Sequence, residues 1–324
     1  MTITINNKAI EAHEGETLIE VARRAGIDIP SLCYARDAKH KSSCMVCAVK
    51  DCKSGNIMPS CTTLPTEGMT IDTESEEVKK TRILSLELLL SDHRADCEAP
   101  CSMVCPAGLD IERMLGFYDA GDYAAAVALI ASVFALPEIA CDDCKAPCEK
   151  ACRRGTLDEA VSIREIIREI VLNNGEKPIA AKHFENTAKD KNLFQSRLGR
   201  FTDAEKDGLT AGVDTRSRCL HCACSGRQKC RLRTFSTAGG IKRPRYQASS
   251  VLQLTKTHIN SNLWFEPAKC IRCGLCVYNS DNGFTFKGRG FNMEVILPDE
   301  NKANVSDRLA ELCPTGAIYL QSSK

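Results

Sequence analysis

Cysteine constrains this chain more than any other residue. It occupies 20 of 324 positions, gathered as Cys33/Cys44/Cys47/Cys61, Cys97/Cys101/Cys105, Cys141/Cys144/Cys148/Cys152, Cys219/Cys222/Cys224/Cys230 and Cys270/Cys273/Cys276 with a distant Cys313. Cys52 stands apart and reads as a small buried hydrophobe. Thiols bunched in this way are metal ligands or disulfide partners. The opening Met-Thr-Ile-Thr-Ile-Asn-Asn-Lys has neither a basic leader nor a long apolar run. No stretch approaches the roughly 18 apolar residues of a membrane span. The expectation is a cytoplasmic chain whose reduced thiols bind metal. Charge is balanced, 43 Lys+Arg against 42 Asp+Glu, so nothing global points to a polyanion partner. Aromatics are only 5%, which leaves metal centres to stabilise what a large core does not.

Thr2-Ile3-Thr4-Ile5 alternates like a half-buried strand, Asn6-Asn7 is a turn pair, and Lys8 to Ala12 supplies the returning strand. Leu18, Val21, Ala22 and Ala25 then repeat with helical spacing up to Gly26, which sits at the C-cap. A hairpin followed by a helix opens a β-grasp domain. Cys33, Cys44, Cys47 and Cys61 follow at gaps of ten, two and thirteen residues. Plant-type ferredoxins hold [2Fe–2S] with C-x4-C-x2-C…C; here the first gap is longer, and the C-x2-C pair and remote fourth Cys are kept. Ile29-Pro30-Ser31-Leu32-Cys33-Tyr34, Ser43-Cys44-Met45-Val46-Cys47-Ala48 and Pro59-Ser60-Cys61-Thr62 resemble the [2Fe–2S] domain that begins the large iron–sulfur subunit of complex I. The same domain opens many [FeFe]-hydrogenases and NAD-linked formate dehydrogenases. The resemblance covers residues 1–75.

Glu77 to Ser91 carries Leu and Ile at helical spacing, followed by His93 and then Cys97, Cys101 and Cys105-Pro106 at gaps of three. A helical stretch broken at Gly121 precedes Cys141, Cys144, Cys148 and Cys152. Thr156 with Glu159 has capping-box spacing, opening a helix with Val161, Ile163, Ile166, Ile167 and Ile170. The runs Asp96-Cys97-Glu98-Ala99-Pro100-Cys101, Cys105-Pro106-Ala107-Gly108-Leu109-Asp110-Ile111, Leu136-Pro137-Glu138 and Cys148-Glu149-Lys150-Ala151-Cys152-Arg153 resemble the double-[4Fe–4S] domain of the glutamate synthase small subunit and dihydropyrimidine dehydrogenase. That resemblance implies interleaved ligands. His93, Cys97, Cys101 and Cys152 would hold one cluster, and Cys105, Cys141, Cys144 and Cys148 the other. His93 stands where this module places a Cys, and the helix around Ile163-Arg164-Glu165-Ile166-Ile167 has none. A His ligand has precedent in the cluster beside the [2Fe–2S] domain of the complex I family; the other reading of His93 is an exposed residue ending a helix.

Residues 173–218, with Gly175, Pro178, Gly199, Gly208 and Gly212, read as a linker. It ends in Cys219-Leu220-His221-Cys222-Ala223-Cys224 with Cys230 six positions on. These four thiols read as one metal site, with [4Fe–4S] preferred over zinc because paired C-x2-C hooks are missing. His221 reads as a neighbour of the site. Arg227, Lys229, Arg231, Arg233, Lys242, Arg243 and Arg245 can offset the negative charge of thiolate-held clusters; no recognition motif supports a nucleic-acid reading.

Lys269-Cys270-Ile271-Arg272-Cys273-Gly274-Leu275-Cys276 is the C-x2-C-x2-C run of bacterial ferredoxins, and Leu312-Cys313-Pro314-Thr315-Gly316-Ala317-Ile318 supplies the Cys-Pro segment. Ser280 occupies the position of the Cys that would serve a second cluster, so one [4Fe–4S] is expected on Cys270, Cys273, Cys276 and Cys313. Val295-Ile296-Leu297 reads as a strand and Asp307 to Leu312 as a helix.

The expected architecture is α+β and multidomain. It comprises a β-grasp [2Fe–2S] ferredoxin domain (1–75), an α-helical double-cubane domain (76–172), a linker with the Cys219–Cys230 site (173–260) and a ferredoxin-like α+β domain (261–324). No G-x-G-x-x-G, Walker A or HExxH occurs, and no catalytic site is recognised. One [2Fe–2S] and three or four [4Fe–4S], with zinc the alternative at Cys219–Cys230, fit one-electron relay in a hetero-oligomer. The family resemblance implies a flavoprotein NAD(P)H-oxidoreductase partner and a second redox partner. The alternatives are an iron–sulfur sensor or scaffold, or reduction at a site-differentiated cluster.

Overall fold

The structure is a computed structural model that describes all residues except 92, 94–95, 174–199, 202–214, 243–244, 247–250, 253, 261 and 322–324. Most of the expected linker, including its five Gly and Pro positions, therefore lies outside the described residues. The chain divides into two compact units: Met1–His93 with Ser225–Ser249 and Thr255–Lys324, and Arg94–Cys224 with Ser250–Leu254. The architecture is mixed α+β.

The first unit begins with strands β1 (Thr2–Ile5) and β2 (Lys8–Glu11), an antiparallel hairpin in register Thr2↔Glu11. Asn6 and Asn7 make its turn at φ 49° and 65°, the left-handed region that Asn tolerates. β1 also pairs in parallel with β5 (Thr70–Asp72), which pairs with β3 (Ala48–Asp51), and β3 with β4 (Ile57–Pro59). The sheet order is β2-β1-β5-β3-β4. Helix α1 (Leu18–Arg24) starts where Glu20 accepts from the Thr17 amide at 2.8 Å and ends before Gly26 at φ 77°. Leu18, Ile19, Val21 and Ala22 of α1 pack against Ile3, Ile5, Val49 and Ile71 of the sheet. Each of the larger ones contributes about 1.5–3 kcal/mol on burial. Helix α2 (Glu76–Ser91) follows and packs on β3.

The second unit is helical: α3 (Pro100–Val104), α4 (Ile111–Asp119), α5 (Tyr123–Ala131), α6 (Pro147–Lys150) and α7 (Ile163–Asn173), with a short parallel pair β6 (Arg200–Phe201) and β7 (Val251–Leu252). Asp110 and Asp122 cap α4 and α5, accepting from Arg113 and Ala125 amides at 3.3 and 3.0 Å. Gly121 at φ 71° separates them. Ile163, Ile166, Ile167 and Ile170 of α7 bury their stripe in a core with Leu109, Ile111, Met114 and Leu115. The expected capping box is not formed. Thr156 ends a 3-10 turn and donates to the Arg153 carbonyl at 2.8 Å, while α7 begins seven residues later. Glu149 instead accepts from the Arg164 amide at 3.0 Å, so the helix start is satisfied by a side chain of α6.

The first unit resumes with α8 (Arg231–Ala238), the sheet β12-β9-β8 (Ile318–Leu320, Leu263–Phe265, Thr257–Asn260), the hairpin β10–β11 (Thr285–Lys287, Glu294–Ile296), α9 (Leu275–Tyr278) and α10 (Arg308–Leu312). Ile259, Leu263, Phe265, Phe284, Leu309 and Ile318 form its core, against which Ala35 and Ala38 of the N-terminal portion pack. Among the described residues no helix is long and apolar enough to cross a membrane.

Candidate metal centres

The first site is built on three loops of the N-terminal sheet. Cys33 lies beyond α1, Cys44 and Cys47 precede β3, and Cys61 follows β4. All four are buried. Cys33 lies within hydrogen-bonding reach of Cys44 and Cys61, and Cys61 of Cys47. Met45 adopts φ 54°, and the amides of Ser43 and Cys44 point at the Cys33 sulfur, that of Cys61 at Cys47. Such N–H groups stabilise anionic sulfur. Arg82 of α2 donates twice to the Ala48 carbonyl, at 3.1 and 2.9 Å, next to Cys47. Cys52 is exposed in the turn after β3. The expectation of a buried residue is thus corrected: the strand ends at Asp51, and Cys52 falls in the solvated turn.

In the second unit Cys105 closes α3, Cys141 adopts φ 70° and Cys148 opens α6. Their charges are mutually felt: Cys141 senses Cys144 and Cys105, and Cys148 senses Cys105 and Cys141. Burial pushes the Cys148 thiol up to about 12 and raises Cys141. A thiolate there needs a compensating cation.

A separate cavity, with about 340 Å³ of open space, is lined by Cys101, Cys152, Cys219 and Cys222 among apolar neighbours that include Leu115, Val161 and Ile163. Burial pushes the Cys101, Cys219 and Cys222 thiols up. Cys219 and Cys222 arrive on a strap, residues 215–224, tied down by polar contacts. Ser217 donates through its amide and hydroxyl to Asp119, both at 2.7 Å. Arg218 reaches Asp158 at 2.7 Å, and Arg216 lies over Tyr118 and binds Glu169 at 2.8 Å.

The residues that line this cavity come from both of the expected quartets. Of the set His93, Cys97, Cys101 and Cys152, only Cys101 and Cys152 line the cavity. Cys97 instead lies beside Cys224, whose amide donates to the Cys97 carbonyl at 3.3 Å, and Asp96 bridges to Ala223. Of the set Cys219, Cys222, Cys224 and Cys230, the first two line the cavity, while Cys230 and His93 belong to the first unit. Asp119 at the end of α4 and Asp158 in the bend after the 3-10 turn hold the strap in this place. Cys230 caps α8, its sulfur accepting from the Arg233 amide at 3.4 Å. His221 turns its ring to Asp119 at 3.3 Å and Glu112 at 3.9 Å.

The C-terminal site gathers Cys270, Cys273, Cys276 and Cys313 around a cavity walled by Phe265, Leu275, Pro314 and Ile318. Arg272 at φ 55° aims its amide at the Cys270 sulfur, 3.3 Å away, and the Ile318 amide approaches Cys313 at 3.4 Å. Gly274 sits at φ 79°, where a Cβ would come within 2.5 Å of the Tyr278 ring. Ser280 makes a turn, donating to the Cys276 carbonyl at 2.8 Å and accepting from Phe284 at 3.0 Å. Lys269 and Glu266 form a buried ion pair beside Cys270.

Arg231 joins this site to the first one inside the same unit. Its amide donates to the Pro314 carbonyl at 2.7 Å and its guanidinium to the Ser31 carbonyl at 3.3 Å. Burial lowers its pKa, and the charges of Cys273, Cys313 and Cys44 oppose that shift. The Cys273 thiol in turn senses Cys33. The loop between Cys33 and Cys44 docks here too: Asn279 exchanges hydrogen bonds with Lys39 at 2.9 and 2.7 Å, and Arg308 holds the Asp37 carbonyl at 2.9 Å.

Among the described residues no three His, Cys, Asp or Glu side chains close tightly enough on a single ion. Soft sulfur donors ringing apolar cavities, with backbone amides aimed at sulfur, are the donor set of polynuclear iron–sulfur centres. Comparison with known families agrees. Residues 1–76 match a 2Fe-2S iron-sulfur cluster binding domain, residues 75–179 the dihydropyrimidine dehydrogenase domain II, 4Fe-4S cluster, and residues 263–320 a 4Fe-4S single cluster domain. The chain is built from iron–sulfur domains. It is 43% identical over 102 residues, 30% of its length, to the HndD component of the NADP-reducing hydrogenase of Solidesulfovibrio fructosivorans, covering 17% of that protein. It is 30% identical over 122 residues (37% of this chain, 14% of the relative) to the G 2 component of the NADH-quinone oxidoreductase of Rhizobium meliloti. The gamma component of the NAD-reducing hydrogenase HoxS of Cupriavidus necator is 34% identical over 95 residues, 29% of this chain and 40% of the relative. The chain thus matches less than half the length of each. In fold it is similar to the crystal structure of an NAD+-reducing [NiFe]-hydrogenase in the H2-reduced state, with a TM-score of 0.52 at 18% identity over 99% of this chain and 88% of the other.

Proposed function

We propose that this chain is a multi-cluster electron-transfer subunit. It relays single electrons between a flavoprotein NAD(P)H-oxidoreductase and a second redox partner in a larger cytoplasmic complex. The observation that carries the reading is the succession of buried and half-buried thiol groups, with backbone amides aimed at sulfur in the first and last of them, on a chain whose relatives are subunits of NAD- and NADP-linked oxidoreductases. Residues 1–75 act as a β-grasp [2Fe–2S] domain with Cys33, Cys44, Cys47 and Cys61 as ligands. Residues 76–172 form a double-cubane domain in which Cys105, Cys141, Cys144 and Cys148 hold one [4Fe–4S]. Residues 173–260 are a linker that carries further ligands, and 261–324 form a ferredoxin-like domain with Cys270, Cys273, Cys276 and Cys313. One [2Fe–2S] and three or four [4Fe–4S] supply the one-electron chemistry.

The protein's own part is to set potentials and exclude water. Amides aimed at Cys33, Cys47, Cys270 and Cys313 favour the more negative, reduced state. Arg231 adds a positive charge near both Cys44 and Cys273. Anaerobically purified chain should carry roughly 14 to 18 iron atoms with matching sulfide, the sum of one two-iron and three or four four-iron clusters. Two irons, or none, would end the relay reading.

A further inference from the structure

We propose that Cys101, Cys152, Cys219 and Cys222 together hold one [4Fe–4S] cluster, closed by a strap from outside the double-cubane module. The proposal rests on the iron–sulfur relay reading and gives one of its clusters a ligand set that spacing does not suggest. The family match to the module ends at residue 179, so two of the four thiols come from beyond it. They nevertheless line one cavity with Cys101 and Cys152, and Cys97 is not among its lining residues.

A second observation is independent of the cavity. The Cys219-Leu220-His221-Cys222 turn has the conformation of the Cys270-Ile271-Arg272-Cys273 turn in the ferredoxin-like region. In each the residue before the second Cys is left-handed, His221 at φ 45° and Arg272 at φ 55°. In each that residue's amide approaches the first sulfur, at 3.4 and 3.3 Å. A non-Gly residue in this region is uncommon and is kept where surrounding structure imposes it. Here the imposed result is a hook whose N–H is aimed at the sulfur of Cys219, with Cys222 next in the same turn and on the wall of the same cavity. His221 carries no ligand role in this arrangement, because its ring is turned to Asp119 and Glu112.

The cavity also has a charged wall, with the carboxylate of Glu112 on one part of it. Arg153 and Arg154 also line the cavity, Arg153 fixed by Asp96 at 2.9 and 3.2 Å and Arg154 by Asp158 at 2.7 and 2.6 Å. Loading the cluster releases each thiol's proton and exchanges no electrons with the protein.

The test uses the full-length chain, purified anaerobically, with iron and sulfide analysis and electron paramagnetic resonance of the dithionite-reduced protein. The double variants Cys101→Ala/Cys152→Ala and Cys219→Ala/Cys222→Ala should each lose about four irons and the same [4Fe–4S] signal. The quadruple variant should lose no more than either pair. A loss of about eight irons in the quadruple variant, from a wild type with its full complement, overturns the grouping and leaves the relay reading standing. A wild type without four-iron clusters overturns both. Conservative variants that retain the fold give a second readout. Cys219→Ser and Cys152→Ser should perturb one common signal that Cys97→Ser leaves intact, and disturbance of that signal by Cys97→Ser would reject the proposal.

Discussion

Arg231 shows what a single residue can do in this protein. Its side chain is half-buried, hydrogen-bonded to the Ser31 carbonyl, and within electrostatic reach of Cys44 at one cluster site and of Cys273 and Cys313 at another. A positive charge there favours reduction of both. Arg231→Gln removes the charge and keeps a donor for Ser31, so both midpoint potentials should fall. The scale is on the order of 50 mV, a Coulomb energy of about 1 kcal/mol at an effective dielectric near 20. Potentiometric titration followed by electron paramagnetic resonance measures it, and unchanged potentials would remove Arg231 from the electrostatics of the sites. The sequence displays this arginine only as one of a basic run. Nothing local separates it from Arg227 or Arg233, because its partners lie some 200 residues earlier, at Ser31, and in the Cys-Pro turn.

At the scale of elements, periodic segments were legible and ligand partnership was not. The hairpin around Asn6-Asn7, the helix ending at Gly26, and α2, α7 and α10 follow from alternation, spacing and caps. Those signals are local. The strap is different. Its three thiols and Cys230 look like one site in sequence, yet Ser217 and Arg218 are anchored to Asp119 and Asp158, 98 and 60 residues away. Those tertiary hydrogen bonds leave no local signal in the sequence. The same scale holds a backbone crossing that only glycine permits. A Cβ on Gly226 would sit 2.5 Å from the Gly316 carbonyl oxygen, and one on Gly316, 2.7 Å from that of Gly226. The crossing seats the start of α8 on the Cys313-Pro314 turn. Gly226 has an ordinary φ of −89°, so Gly226→Ala tests contact alone. Overpacking of this kind costs about 1–3 kcal/mol. The variant should melt earlier and lose the C-terminal [4Fe–4S] signal first; a stability equal to wild type would show that the two loops separate freely.

For the whole molecule, the relay reading makes a sharp demand on electron sources. Under that reading NADH or NADPH alone should leave the isolated protein oxidised while dithionite bleaches it. Addition of the flavoprotein partner should make the nicotinamide effective, with visible absorbance as the readout. Rapid bleaching by NADPH alone would assign the chain a catalytic site of its own. Long-range order has a further consequence. Lys39 meets Asn279 across 240 residues of chain, and Asp37 meets Arg308 across 271. During synthesis, then, the loop beside the first quartet is made some 240 residues ahead of the segment it docks against. Throughout that interval the N-terminal thiols are open to the cell's cluster-delivery machinery, and to its oxidants.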